Sequence, residues 1–66
     1  MKILLNGAVR QVSEGTTIAQ LLRELEMDER HVAVEVNLEL VPRARHSEHA
    51  LCESDRLEVV TLVGGG

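Results

Sequence analysis

The sequence predicts an α+β domain in which one main helix covers one face of a mixed sheet of about four to five strands. Three observations predict this class: an Asn-Gly pair between two short apolar runs, one amphipathic helical stripe, and later runs in which apolar and polar residues alternate. All of them fall within 66 residues, enough chain for one domain with a single core. So short a domain has no room for a deep enclosed active site, which disfavours a free-standing enzyme.

The first predicted element is a β-hairpin whose strands cover residues 2–5 and 8–12. Asn6 and Gly7 stand between the strands, and both residue types tolerate the positive φ angles of a primed turn. The register is open at this point. A two-residue turn places Leu4 opposite Val9, whereas a three-residue turn places Leu5 there.

A helix is predicted to begin after Thr17. Gln20 follows three residues later, so the two side chains can cap each other's backbone N–H groups. Apolar residues at i, i+3, i+4 and i+7 then form the face that packs on the sheet. They are Ile18, Leu21, Leu22 and Leu25. The helix is expected to end near residues 26–28.

The second half of the chain reads as strands. Apolar residues alternate through 32–36, the period of a half-buried strand. Residues 38–41 are predicted as a fourth strand that ends at Pro42, which lacks the N–H of a ladder, 43–53 as an irregular connection, and 57–62 as the last strand. The β-grasp arrangement fits this order, with the first and last strands side by side and parallel.

Composition excludes several classes of partner. The chain has seven basic and eleven acidic residues, a formal net charge of −4, and no Phe, Tyr or Trp. Net negative charge repels nucleic-acid phosphates and anionic lipid heads, and without aromatic rings there is no platform on which bases stack. We therefore expect protein partners, and neither nucleic acid nor membrane.

One set of residues has side chains and a spacing that could suit a metal site: His46, His49 and Cys52, at i, i+3 and i+6. Spacing alone is weak evidence, and the better interpretation is two solvated histidines and a small buried thiol in a connecting loop. We therefore predict no metal and no bound cofactor. The single cysteine favours a reducing compartment. Only Ile3, Leu4 and Leu5 stand between Lys2 and Asn6, too few for the apolar region of a signal peptide, so the cytoplasm is expected.

The last four residues, 63–66, are predicted to form a flexible tail after a domain of residues 1–62. Three of the five glycines are Gly64, Gly65 and Gly66. Without a Cβ these residues can extend and thread a narrow channel, where a partner could hold the terminal carboxylate. A frayed or truncated terminus is equally compatible with the same residues.

The whole chain resembles the ThiS family, ubiquitin-like β-grasp sulfur carriers of thiamin biosynthesis. The segments that carry the resemblance are, in order, Asn6-Gly7, Glu14-Gly15-Thr16-Thr17-Ile18, Leu21-Leu22, Val36-Asn37, Val41-Pro42-Arg43, Asp55-Arg56-Leu57-Glu58-Val59-Val60 and Val63-Gly64-Gly65-Gly66. Two loops depart from the family pattern: Ser54 stands where glycine is usual, and no aromatic residue follows Arg43.

The resemblance implies chemistry at Gly66 that partner enzymes carry out. A ThiF-like adenylating enzyme of the ubiquitin-activating type would use ATP to convert the terminal carboxylate to an acyl-adenylate. Sulfur carried as a persulfide from a cysteine desulfurase would then displace AMP. The resulting thiocarboxylate would give its sulfur to a ThiG-like thiazole synthase. Gly65 and Gly66 would keep side chains away from the acyl centre.

The last predicted strand indicates a docking surface. If Leu57, Val59 and Thr61 face the helix, then the other side chains of the strand face away from it, namely Glu58, Val60 and Leu62. Exposed apolar residues near the tail would suit transient docking. The predicted partner-binding residues are Leu4, Val60 and Leu62.

Other functions remain open on the sequence. The small subunit of molybdopterin synthase, or a carrier for another sulfur pathway, would share the β-grasp fold and the Gly-Gly end. A ubiquitin-like modifier would be joined to lysines through an isopeptide bond, and a docking module would need no free terminus. An enzyme in its own right ranks last.

Overall fold

A computed structural model describes residues 1–62, which form a five-stranded sheet and one α-helix. The elements are β1 (Lys2–Leu5), β2 (Ala8–Gln11), α1 (Ile18–Glu24), β3 (Val32–Val36), β4 (Glu39–Val41) and β5 (Arg56–Thr61), with short 3-10 turns at Glu29–His31 and Arg43–Arg45. The strand order is β2-β1-β5-β3-β4, in which β1 and β5 are parallel and the other neighbours are antiparallel. This order confirms the predicted α+β class and β-grasp arrangement.

The first hairpin has the two-residue turn. Leu4 lies opposite Val9, and the turn residues Asn6 and Gly7 have φ angles of 49° and 84°. The Asn6 side chain does more than tolerate this conformation: its Oδ1 accepts a hydrogen bond from the Val59 backbone N–H at 2.8 Å, and its Nδ2 donates to the Val59 carbonyl at 3.2 Å. Asn6 therefore makes the turn and also holds β5.

The helix begins with the predicted capping box. Thr17 Oγ1 accepts from the Gln20 N–H at 3.2 Å, and Gln20 Oε1 accepts from the Thr17 N–H at 2.9 Å. Three residues of its apolar stripe are buried against the sheet: Ile18, Leu21 and Leu22.

The predicted helix end was wrong, because α1 stops at Glu24 and Leu25 is its C-cap. Glu26 turns the chain with a φ of 58°. Its N–H donates to the Arg23 carbonyl at 3.0 Å, and the Met27 N–H donates to the Leu22 carbonyl at 2.9 Å, which is the Schellman pattern. Since glycine usually occupies this left-handed position, a glutamate there left no signal in the sequence.

The second hairpin confirms strand 32–36 and corrects strand 38–41. Asn37 and Leu38 form a two-residue turn with φ angles of 52° and 72°, so β4 begins at Glu39. Leu38 is 89% exposed in this turn. The last strand begins and ends one residue before the predicted 57–62.

The connection between β4 and β5 packs against the helix, although the sequence predicted an irregular polar segment. Its backbone carbonyls at His46 and His49 accept hydrogen bonds from the N–H groups of Ala19 and Ile18, at 3.0 and 3.1 Å. The first turn of α1 is thereby satisfied by this segment as well as by its own capping box. No helix in residues 1–62 has the length and apolar character needed to cross a bilayer.

His46 was predicted to be solvated, and the structure contradicts this. The side chain is 1% exposed, and its Nε2 lies 3.1 Å from the Val41 carbonyl. Because a carbonyl only accepts, Nε2–H is the donor of this hydrogen bond. Nδ1 faces the Glu29 carboxylate at 3.8 Å. The histidine thus joins β4, the connection and the segment before β3.

We expect His46→Ala to lower the free energy of unfolding by about 2–4 kcal/mol, because it leaves a cavity and an unpaired buried carbonyl. Urea denaturation followed by circular dichroism measures the change. His31→Ala, at an exposed ring, is the control and should change stability by less than about 0.5 kcal/mol. Equal losses in the two variants would contradict a structural role for His46.

Ser54 has a φ of 69°, at the position where the resemblance led us to expect glycine. We expect Ser54→Gly to stabilise the domain by about 0.5–1 kcal/mol, because glycine adopts the left-handed conformation without strain. Ser47→Gly, at an exposed position without a positive φ, should instead be neutral or destabilising. Thermal unfolding of the two variants checks the difference, and a loss of stability in Ser54→Gly would contradict the expectation.

Candidate functional site

The tail residues singled out by the sequence, Gly64, Gly65 and Gly66, lie outside the residues that the structure describes, as does Val63. Among the described elements, β5 is the strand that leads towards the tail. Beyond Thr61, the Leu62 N–H still donates to the His31 carbonyl at 2.7 Å. The candidate site in residues 1–62 is therefore the surface around the end of β5.

The sheet face opposite the helix, which we call the outer face, carries the candidate docking residues. On β5, Leu57 and Val59 are 1% and 7% exposed, whereas Val60 is 56% exposed. The alternation predicted for these residues is confirmed. Thr61 falls on the helix side by the same alternation but is exposed at the strand end. Leu62, just beyond the strand, is 53% exposed.

Leu4 lies apart from Val60. It is half-buried, and the register places it opposite Val9 on one side and beside Arg56 on the other. Val60 is four residues further along β5 than Arg56, roughly 13 Å away at the rise of a strand. The structure thus brings Leu4 to Val9 at one end of the outer face and leaves Val60 and Leu62 at the other.

Two exposed apolar residues of the outer face were not singled out from the sequence. Val9 is 63% exposed and Leu40 is 66% exposed. Val9 could have been found from the two-residue turn, which pairs it with Leu4. Leu40 depends on where β4 begins, since a shift of one residue moves it to the other face.

Several exposed apolar side chains on one sheet face are typical of a surface that another protein covers.

A buried polar group of the domain has a structural role. Asp55, which is 9% exposed, accepts hydrogen bonds from Asn37 Nδ2 at 3.0 Å and from the Cys52 N–H at 2.8 Å. Its carboxylate organises the turn before β5.

Cys52 was predicted to be buried, and the structure contradicts this because the thiol is exposed. The hydrogen bond from its backbone to Asp55 fixes the turn and leaves the side chain outside the core. Cys52 shares an open groove with Arg45 and His49, while His46 is turned towards Val41. Within residues 1–62, no three His, Cys, Asp or Glu side chains are grouped so that they could hold a metal ion.

The acidic segment after the helix, residues 26–29, contains one carboxylate with a structural role. Asp28 accepts hydrogen bonds from the side chain and the backbone of Arg30, and these bonds hold the pKa of the Asp28 carboxyl well below its usual range. The same contact raises the pKa of Arg30. The pair caps the 3-10 turn before β3 and lies on exposed surface.

Comparison with known proteins gives one family and several relatives. The model of the ThiS family matches residues 3–66. The sulfur carrier protein ThiS of Bacillus subtilis is 38% identical over 63 residues, which cover 94% of this chain and 96% of that protein. The crystal structure of thiamine biosynthesis protein ThiS from Geobacter metallireducens has a TM-score of 0.85 and 28% sequence identity, with both chains fully covered.

A longer relative also matches. The thiazole synthase of Paramagnetospirillum magneticum is 46% identical over 66 residues, which are all of this chain and 20% of that protein. This chain therefore spans about a fifth of the length of that relative. A segment much like this domain thus occurs inside a larger polypeptide in another organism.

Proposed function

Since the chain belongs to the ThiS family, we propose that it is a sulfur carrier of thiamin biosynthesis that holds sulfur on the carboxylate of Gly66. The observation that carries the proposal is the match to the ThiS sulfur carrier of Bacillus subtilis over almost the full length of both chains. The structural likeness to the Geobacter metallireducens protein supports it independently.

The chemistry follows from the weakness of a carboxylate as an electrophile. In the proposed cycle, the Gly66 carboxylate attacks the α-phosphate of ATP in an adenylating enzyme of the ubiquitin-activating type, and pyrophosphate leaves. Persulfide sulfur that originates from a cysteine desulfurase then attacks the acyl carbon and displaces AMP. The product of this attack is an acyl disulfide, and a second thiol of the enzyme then attacks the enzyme sulfur of that disulfide, which forms a new disulfide and releases the thiocarboxylate. Gly64 and Gly65 present no side chain to the partner, which favours close approach.

In this proposal the chain is a protein co-substrate and not an enzyme. It binds no cofactor itself, and ATP is bound by the activating partner. The structural roles of Asp55 and of His46 Nε2 are consistent with this, since both groups make hydrogen bonds that hold the fold. The proposed compartment is the cytoplasm, where the exposed thiol of Cys52 would stay reduced.

The proposed acceptor of the sulfur is a thiazole synthase. The relative in Paramagnetospirillum magneticum bears that name and contains a segment 46% identical to this whole chain. A second thiazole synthase, from Magnetococcus marinus, contains a segment 42% identical. A carrier domain within the same polypeptide as its acceptor has a high effective concentration there, which is a reason for two functionally linked domains to be joined.

Val60 and Leu62 are the proposed docking residues for these enzymes, because Val60 is exposed on the outer face and Leu62 is exposed just beyond the strand, next to the tail. Leu4 extends the proposed surface towards the first hairpin, although half-buried and separated from Val60 by the length of β5. Partners that must hold Gly66 in a catalytic site would cover Val60 and Leu62 first.

We expect a chain that ends at Gly66 to gain the mass of one sulfur in place of one oxygen after incubation with ATP, the activating enzyme and a sulfur source. Deletion of Gly66, or a peptide fused after it, should abolish this change because the reactive carboxylate is lost or moved. Intact-mass spectrometry with fragment mapping measures the site. Sulfur on the fused protein would contradict the proposal, and an isopeptide bond to a lysine would favour a modifier.

We expect Val60→Asp to lower the kcat/KM of adenylation by about tenfold or more, because it places a charge in an apolar contact. Since Val60 is exposed, the thermal unfolding midpoint should be almost unchanged. Leu38→Asp is the matched control, because Leu38 lies in the turn between β3 and β4, near the start of β5 and away from Val60. Equal adenylation kinetics for Val60→Asp and the unmodified chain would remove Val60 from the docking surface.

A further inference from the structure

Two glutamates lie directly opposite each other on the outer face. Glu35 of β3 pairs with Glu58 of β5, and both side chains are exposed. On neighbouring antiparallel strands the Cβ atoms of such a pair are about 4.5–5.5 Å apart, and like charges there destabilise the sheet. The central strands thus carry an unfavourable contact where residues of opposite charge, or neutral ones, would be better for the free domain.

Within residues 1–62, neither Glu35 nor Glu58 makes an ion pair. The ion pairs found in residues 1–62 involve the carboxylates of Asp28 and Glu29. Arg56 is on the same face of β5, two residues before Glu58, but it makes no ion pair with either glutamate. Its backbone N–H donates to Asn37 Oδ1.

Apolar side chains frame the two carboxylates. Leu40 lies opposite Glu35 on the outer side of β3, and it is 66% exposed. The next pair on the same face towards the end of β5 is Ala33 with Val60. A partner that covers Val60 and Leu40 would also cover the carboxylates and remove water from them, which strengthens a charge-assisted hydrogen bond.

We propose that Glu35 and Glu58 together receive one basic side chain, arginine or lysine, from a protein that covers the outer face with apolar residues around that cation. A guanidinium has enough donors to bond both carboxylates, and an ammonium can do so as a point charge. The proposal rests on the proposed function, since it names the chemistry of the partner that docks at Val60. Charge complementarity selects this partner over an anionic lipid surface or nucleic acid.

The glutamates are also a poor metal site by themselves. Calcium takes about six to eight oxygen ligands, and the flanking residues Leu40, Ala33 and Val60 provide no side-chain oxygen. A basic side chain with apolar neighbours complements both the two carboxylates and the apolar residues around them, whereas a free metal ion complements only the carboxylates.

The test compares Glu35→Gln/Glu58→Gln with a control, Glu24→Gln/Glu48→Gln, which changes the net charge equally at exposed positions away from the outer face. In the free chain, the first variant should raise the melting temperature by about 1–4 °C because the repulsion is removed, and the control should not. Differential scanning calorimetry measures this effect without any partner.

Binding is then measured by titration calorimetry with the purified activating enzyme and with thiazole synthase as probes. The Glu35→Gln/Glu58→Gln variant should bind at least one of them about tenfold more weakly, and its affinity should depend less on salt than that of the unmodified chain. Higher stability with weaker binding is the combined result that supports the proposal.

Two results would overturn it. If the unmodified chain and Glu35→Gln/Glu58→Gln bind equally well, while Val60→Asp weakens binding, the cation contact is wrong and the proposed function stands. If the unmodified chain binds neither enzyme, the proposal and the proposed function both fail.

Discussion

The fold depends on the way β5 is held between two asparagine side chains. Asn6 bonds both the N–H and the carbonyl of Val59, and Asn37 accepts from the Arg56 N–H at 3.1 Å. Since β1 pairs with β5 over only two residues, the Asn6 amide continues a ladder that the backbone leaves short. Each asparagine also forms a hairpin turn with a positive φ. Glycine would make either turn, but only a side chain with a donor and an acceptor also secures the central strand.

This arrangement separates the roles of the two sheet faces. The face towards the helix contains the core, and two buried polar side chains beside the strands, His46 and Asp55, make hydrogen bonds that maintain the fold. The outer face, in contrast, carries exposed apolar and acidic side chains. Both faces depend on β5, whose alternate residues supply Leu57 and Val59 to the core and Glu58 and Val60 to the outer face.

Features set by neighbours in the chain could be predicted from the sequence, and features set by distant contacts could not. The capping box of Thr17 and the turn at Asn6 each depend on residues within a few positions. The burial of His46 depends on the Val41 carbonyl and on packing that no local pattern reports. Helix termination at Glu26 and the turn at Leu38 use left-handed residues without the usual glycine. The separation of Leu4 from Val60 required the parallel register of β1 and β5. The docking role of these residues stays a prediction.

The central position of β5 has a consequence during synthesis. A nascent chain that has grown only to residue 55 already contains β1 and β3, but the strand that fills the space between them is missing. Both would then expose open edges, a form prone to pairing with other chains. Sheet closure joins residues about 50 positions apart, so it comes late and orders the whole domain at once. A chain that stops before β5 is thus left with exposed strand edges, whereas a chain complete through β5 has a closed sheet.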